Sequence, residues 1–299
     1  MKNAYFKYLS ALLLFGSNGI VASFISLDSY EIVLLRTLIG SLLLLVVFLF
    51  QKNRFTCLKQ KKALLFLLIS GMAMGASWMF LYEAYHQIGV SFASLAYYCG
   101  PVIVMVLSPV VFNEKFAWPK LAGFLCVLAG IVLVNGQAMQ AGGRSLGLIC
   151  GALSAFMYAV MVIFNKKATR ITGLENALLQ LSFGFLIVAV FVGIKQGFVI
   201  HAASSDWIPI LILGFINTGI GCYFYFSSIG SLPVHTVAIC GYLEPLSAVI
   251  FSAIFLQERL LTIQILGAVM ILGGAIFGAN YKNIDMELTP GITIKGKRR

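Results

Sequence analysis

Ten apolar runs divide the chain, at roughly 7–27, 31–50, 63–87, 91–112, 118–136, 145–165, 174–195, 207–228, 232–256 and 260–280. Each is about 20 residues long, the length a helix needs to cross the hydrocarbon core of a bilayer. Barrel strands would alternate in polarity over about 10 residues. These runs are apolar throughout, so they predict helices. Turn and charge signals separate them: Leu27-Asp28-Ser29, the stretch from Gln51 to Lys62, Gly89-Val90-Ser91, Asn113-Glu114-Lys115, Gly142-Gly143-Arg144 and Gly230-Ser231-Leu232-Pro233. The breaks at 88–91 and 229–232 are short, and a long re-entrant pair is the alternative there. The first run follows Lys2 and Lys7 and is too long for a signal-peptide core, so it reads as an uncleaved span.

Composition sharpens this reading. The 299 residues are 60% hydrophobic and 10% charged, with a mean hydropathy of +0.97. Soluble domains are nearer half apolar and a quarter charged. An ordinary cytosolic enzyme, a disulfide scaffold and a disordered chain are all excluded. The six cysteines form no CxxC pair, and five lie inside apolar runs, where they read as small packing residues. A net charge of +11 would suggest nucleic acid in a soluble protein. Here topology accounts for it. With the N-terminus in the cytoplasm, the inner segments hold 17 of the 21 Lys and Arg and the outer loops 3, while Arg36 lies within the second run. That asymmetry predicts a multi-pass protein of the cell membrane with both termini cytoplasmic. Residues 281–299 then form a basic cytoplasmic tail, ending Lys295-Gly296-Lys297-Arg298-Arg299. The tail is a solvated topology signal or a contact for anionic lipid.

The runs also repeat. Pro101, Glu114, Gly123 and Gly130 recur as Pro245, Glu258, Gly267 and Gly274, all at an offset of 144, and Gly75 and Gly219 share it. Two units follow, 1–137 and 142–280, with five spans each. Five is odd, so the second unit enters the membrane from the opposite side. Inverted repeats of this kind serve alternating access around a central site. The glycine pairs 123/130 and 267/274 read as packing seams.

Phe15-Gly16-Ser17-Asn18, Pro101 to Lys115, Leu243-Glu244-Pro245, Leu256-Gln257-Glu258-Arg259 and the Gly-rich fifth and tenth runs together resemble the EamA-type family of the drug/metabolite transporter superfamily. The resemblance implies an all-α integral membrane protein of ten transmembrane helices, arranged as two inverted-topology five-helix repeats around a central cavity. It also implies proton- or gradient-linked transport of small metabolites, often export of amino acids or related compounds. The first half carries Gly100-Pro101 where the second has Glu244-Pro245, so a carboxylate role there is one-sided.

Ionisable groups deep in spans are functional candidates by default. Three exist: Arg36, Glu83 and Glu244. Arg36 and Glu83 each lie about five residues, roughly 7–9 Å, below the outer surface, which predicts a salt bridge. That pair either holds two helices together or leaves Glu83 to bind substrate or protons. Glu244 stands near mid-membrane before a proline that frees a backbone carbonyl. It is a candidate for substrate binding and proton coupling, with a hydrogen-bonded kink as the plainer reading. Glu83 shares the coupling candidacy. Glu114 and Glu258 sit at helix ends and read as caps or ion pairs.

Gly71, Gly75, Trp78, Tyr82 and Tyr85 form one helical stripe, flanked by Glu83 and His86, and Tyr97 and Tyr98 follow. Aromatic faces beside a carboxylate receive organic cations or stack aromatic side chains. The same residues would also make an interfacial belt. Asn217, Thr218, Gly221 and Tyr225 occupy the corresponding place in the eighth span. Asn18 is a buried amide in need of partners. His235 is a proton relay or a structural histidine.

No GxxxxGK[ST] or HExxH occurs, and the three histidines are too scattered for a metal centre. No cofactor is expected. The reading is a secondary transporter, not an enzyme, of a small metabolite such as an amino acid or related compound. Asn18, Trp78, Tyr82, Glu83, Tyr98, Tyr225 and Glu244 are expected to line the substrate site, with the bilayer as a partner and protons as the candidate coupling ion. A carrier of organic cations such as quaternary amines or drugs is the alternative. A multi-span membrane enzyme or sensor is the rival from another class, and the inverted repeat disfavours it.

Overall fold

The computed structural model of the chain describes residues 2–52, 55–88, 93, 96–97, 99–112, 118–135, 145–198, 200, 202–255 and scattered positions between 262 and 277. The described residues are helical, with no strand among them. The helices are α1 (Lys2–Gly16), α2 (Asn18–Ala22), α3 (Ser29–Phe50), α4 (Lys61–Ile88), α5 (Gly100–Phe112), α6 (Trp118–Asn135), α7 (Ser145–Lys167) and α8 (Gly173–Lys195). After these come α9 (Trp207–Leu211), a π-helical segment (Ile212–Ile220), α10 (Gly221–Ile229), α11 (Val234–Cys240) and α12 (Leu243–Phe255). Five stretches among the described residues are long and apolar enough to cross a membrane: Ser29–Phe50, Lys61–Ala84, Leu146–Lys167, Gly173–Lys195 and Ser204–Ile229. Their outward faces carry large apolar side chains, such as Phe50 and Ile194, each more than 80% exposed. Water would penalise such a surface and lipid does not.

Two predicted spans are interrupted and a third changes its winding. The first breaks at Ser17, between α1 and α2, where the Ser17 hydroxyl donates to the Leu14 carbonyl at 2.7 Å. The eighth is continuous but unwinds into nine residues of π-helix. The ninth divides into α11 and α12 at Gly241-Tyr242, four residues ahead of the proline that signalled the kink.

Helices from the two halves of the sequence pack on each other. α4 lies along α7 and α8, α3 along α8 and the π segment, and α1 along α10 and α12. Glycines set the closest approaches. A Cβ on Gly75 would stand 2.7 Å from the Gly184 carbonyl oxygen and would overlap Ile187. A Cβ on Gly40 would stand 3.2 Å from the Gly219 nitrogen, and one on Gly219 would stand 2.6 Å from the Leu43 side chain. Gly40 and Gly184, Gly75 and Gly219, and Leu43 and Ile187 are each 144 residues apart, so the two crossings are counterparts. Bare backbone at such crossings lets helices approach within van der Waals range without a hydrophobic driving force.

The loops are tied across the halves as well. The Glu175 carboxylate, at the start of α8, accepts from the backbone N–H of Thr56 and Cys57 and from the Thr56 hydroxyl, at 2.7–2.8 Å. Burial and this carboxylate push the Cys57 thiol up. At the opposite end, Asp206 accepts from the Ser26 N–H and hydroxyl and from the Ala203 N–H.

Candidate functional site

The interruptions converge on one place. Gly16 lets α1 lie against the first turn of α12: a Cβ there would overlap the Ser247 hydroxyl and stand 2.9 Å from the Glu244 carbonyl. The break after Gly16 turns Asn18 inward. Asn217, in the π segment, donates through its amide to Leu14 O, Ser17 Oγ and Asn18 Oδ1, all at 2.9 Å. The unwound π geometry also lets Thr218 donate back to the Leu213 carbonyl, five residues earlier, at 2.8 Å. Its hydroxyl oxygen thereby faces Arg36, whose Nε donates to it at 2.9 Å. π segments inside α-helices are concentrated at functional sites because they free such groups.

Arg36 is 4% exposed, and its guanidinium lies 4.8 Å from the centroid of the Trp78 ring. Across from it, Tyr158 and Tyr225 bring their hydroxyls to 3.3 Å. Tyr225 also stacks at a tilt on Tyr8 and Phe15, and Tyr97 meets Tyr158 edge-on. Tyr8 anchors this cluster by donating to the Val237 carbonyl at 2.8 Å. Glu244 completes the wall from the first turn of α12.

These side chains enclose a cavity of about 50 Å³. A water needs roughly 10–15 Å³ of such volume, so the cavity has room for a few waters but not for an organic solute. Its walls come from both halves: Phe15, Asn18, Arg36 and Trp78 from the first, Tyr158, Tyr225 and Glu244 from the second. Glu244 has no counterpart opposite. A Cβ on Gly100 would stand 2.6 Å from the Tyr158 ring, which fills the space a carboxylate would need there.

Asn18, Trp78, Tyr225 and Glu244, each expected at the site, line this one cavity. Glu83 does not, and its expected bridge to Arg36 is absent. Glu83 instead lies 3.5 Å from Lys195, the one salt bridge among the described residues, and also accepts from Tyr30 and from Gln87. The reason is depth. Tyr30, six residues before Arg36, is the α3 residue level with Glu83, so Arg36 lies about 9 Å deeper. It meets Trp78, which is five residues from Glu83 and about 140° round the helix. Tyr82 packs with Tyr30, Val33 and Met79, away from the cavity. Tyr98, Glu114 and Glu258 lie outside the described residues, as do the side chains of Tyr85, His86 and His235.

Sequence reading missed Tyr158, Phe15 and the partners of Arg36. It also missed the Ser77–Ser154 pair, in which each hydroxyl donates to the other's carbonyl at 2.8 Å and closes the α4–α7 wall. A tyrosine midway along an apolar run was the available signal for Tyr158.

Comparisons bear on what such a cavity serves. The sequence profile described as the EamA-like transporter family matches residues 2–136 and again residues 145–278. A Bacillus subtilis protein named uncharacterized transporter YxxF is 27% identical over 274 residues, covering 91% of this chain and 88% of its own. An Escherichia coli protein named probable amino-acid metabolite efflux pump is 26% identical over 209 residues, covering 64% of this chain and 68% of its own. A crystal structure of a protein 18% identical to this one superposes with a TM-score of 0.77, over 92% of this chain and 98% of that one.

Proposed function

We propose that this chain, which belongs to the EamA-like transporter family, is a secondary transporter of a small polar or amphipathic metabolite that binds in the cavity between its halves. A multi-pass membrane transporter is what the family and the relatives' names support. The finer reading rests on one observation: a guanidinium and a carboxylate, contributed by opposite halves, line one aromatic-walled cavity. Arg36 offers donors to an anionic group, Glu244 an acceptor to an amine, and Trp78, Tyr158 and Tyr225 flat faces to the rest of the solute. An amino acid or related compound has those groups, and the efflux-pump relative is named for such metabolites.

In this reading ten spans form two inverted repeats. The exchanged glycine crossings, Gly40 on Gly219 and Gly184 on Gly75, support it, since an in-plane two-fold axis carries one into the other. The cavity is too small for a solute, so the halves part to admit one. Glu244 sits where a proton and an amine compete, which makes it the coupling group. Glu83, held by Lys195 and Tyr30 outside the cavity, is left a structural role. The aromatic walls alone would also suit an organic cation, but the Arg36 guanidinium already covers the Trp78 face, which counts against it.

A thermal-shift screen of the purified chain over amino acids, amines, nucleosides and sugars tests the solute class. A ligand at about 100 times its Kd stabilises by about 2.7 kcal/mol. Stabilisation by amino acids that disappears in Arg36→Gln supports the reading; stabilisation by amines alone, unchanged in Arg36→Gln, contradicts it.

A further inference from the structure

A second cavity, of about 450 Å³, lies apart from the first and shares none of its lining residues. Its size falls within the range of small-molecule sites. Ala76, Met79, Phe80 and Glu83 face it from α4 at helical spacing, Ile187, Phe191 and Lys195 from α8, and Cys150 from α7. Its walls are apolar except at one end, where Glu83, Tyr30 and Lys195 meet.

That end is at a membrane boundary. Among the membrane-crossing stretches, one begins at Ser29, one ends at Ala84, one begins at Leu146 and one ends at Lys195. All four termini are at this mouth. From Lys195 down to Ile187, and from Glu83 down to Ala76, the cavity descends about 10–12 Å into the apolar zone. Leu146 and Phe191, on its flank, are 53% and 39% exposed, so it faces the bilayer and not the protein centre.

The mouth has a surplus of donors. The Glu83 carboxylate is already served by Tyr30, Gln87 and Lys195. The Lys195 ammonium carries three donors, makes one long contact to Glu83, and is 44% exposed. It is held in place by the Tyr30 ring at 3.9 Å and the Phe191 ring at 5.7 Å. A positioned cation at headgroup level above an apolar slot matches an anionic head on an aliphatic chain.

We propose that this cavity is a binding site for a membrane phospholipid, with the phosphate on Lys195 and one acyl chain in the slot toward Ala76 and Ile187. Lysine at the interface is itself a common anchor; the formed slot beneath it is what distinguishes this one.

The test uses the full-length chain, purified in detergent and titrated with phosphatidylglycerol, with bound lipid read by native mass spectrometry. Wild type should retain lipid, Lys195→Arg should match it, and Lys195→Ala should bind at least fivefold more weakly. Ala76→Phe, which fills the slot without touching the charge, should weaken binding to a similar degree. Inorganic phosphate should fail to displace the lipid, and a free fatty acid should bind more weakly than phosphatidylglycerol. Glu244→Gln should leave lipid binding unchanged, which separates this site from the transport site. Wild-type retention in both Lys195→Ala and Ala76→Phe would overturn the proposal. So would displacement by phosphate alone, or a fatty acid that binds as tightly as the phospholipid.

Discussion

Adding a methyl group at Gly75 probes the contact between the halves. Alanine is the better helix former by about 1 kcal/mol, so in an open position Gly→Ala is neutral or stabilising. Gly19 is open, with nothing within 4 Å of a built Cβ. At Gly75 the new Cβ would stand 2.7 Å from the Gly184 carbonyl oxygen and overlap the Ile187 side chain. Backbone cannot rotate aside, so α4 and α8 must separate. Overpacking of this kind costs about 1–3 kcal/mol, which offsets the propensity gain and leaves a net loss of up to about 2 kcal/mol. Gly184→Ala is the internal control: its Cβ meets mainly the terminal methyl of Met74 at 2.5 Å, the mobile end of a flexible side chain, and should cost less. Apparent melting temperatures of the three variants in one detergent should rank Gly19→Ala highest, Gly184→Ala next and Gly75→Ala lowest. A Gly75→Ala protein as stable as Gly19→Ala would refute the packing argument.

Other outcomes follow from single contacts. Glu175→Ala removes three hydrogen bonds from the 56–57 turn, worth about 1–3 kcal/mol in total loss of stability. Because the folded Cys57 thiol is pushed up, little thiolate forms at pH 7, and Glu175→Ala should speed maleimide labelling of Cys57 at that pH. Gln180→Met should change stability by less than about 1 kcal/mol: deleting a buried amide nitrogen with no partner among the described residues offsets the loss of the Oε1 that accepts from Asn165 at 3.1 Å, and Asn165 keeps its bond to Asn176. If the termini are cytoplasmic, a cysteine at Leu58 should resist an impermeant maleimide in intact cells while one at Ser205 reacts; the reverse pattern would invert the topology.

Much of the fold was legible because lipid demands long apolar helices, and five of them stand where runs were read. The break at Ser17 was not, since it depends on a neighbouring helix whose Asn217 satisfies the freed Leu14 carbonyl, whereas Pro245 did signal the break at Gly241. The π segment was not legible either. Its nine residues read as ordinary apolar helix, and what fixes their register is the Arg36–Thr218 bond across to another span. Polarity in an apolar context did flag Asn18, Trp78, Tyr225 and Glu244. It could not pair charges, because depth counted from turn residues carries an error of a helical turn or more. Tyr30 and Arg36 are six residues or about 9 Å apart, so an error of under two turns exchanges one for the other opposite Glu83.

If the cavity holding Arg36 and Glu244 is where solute and driving ion meet, transport by variants at its carboxylate must reveal it. Uptake of a labelled amino acid identified by the screen, into sealed vesicles of purified protein with and without an imposed pH difference, tests it most directly. Wild type should accumulate solute only with the gradient. Glu244→Gln, which keeps size and hydrogen bonding but cannot ionise, should still exchange solute and lose gradient-driven accumulation. Glu83→Gln should keep it. Gradient-driven accumulation that survives in Glu244→Gln, or is lost in Glu83→Gln alone, would contradict the account.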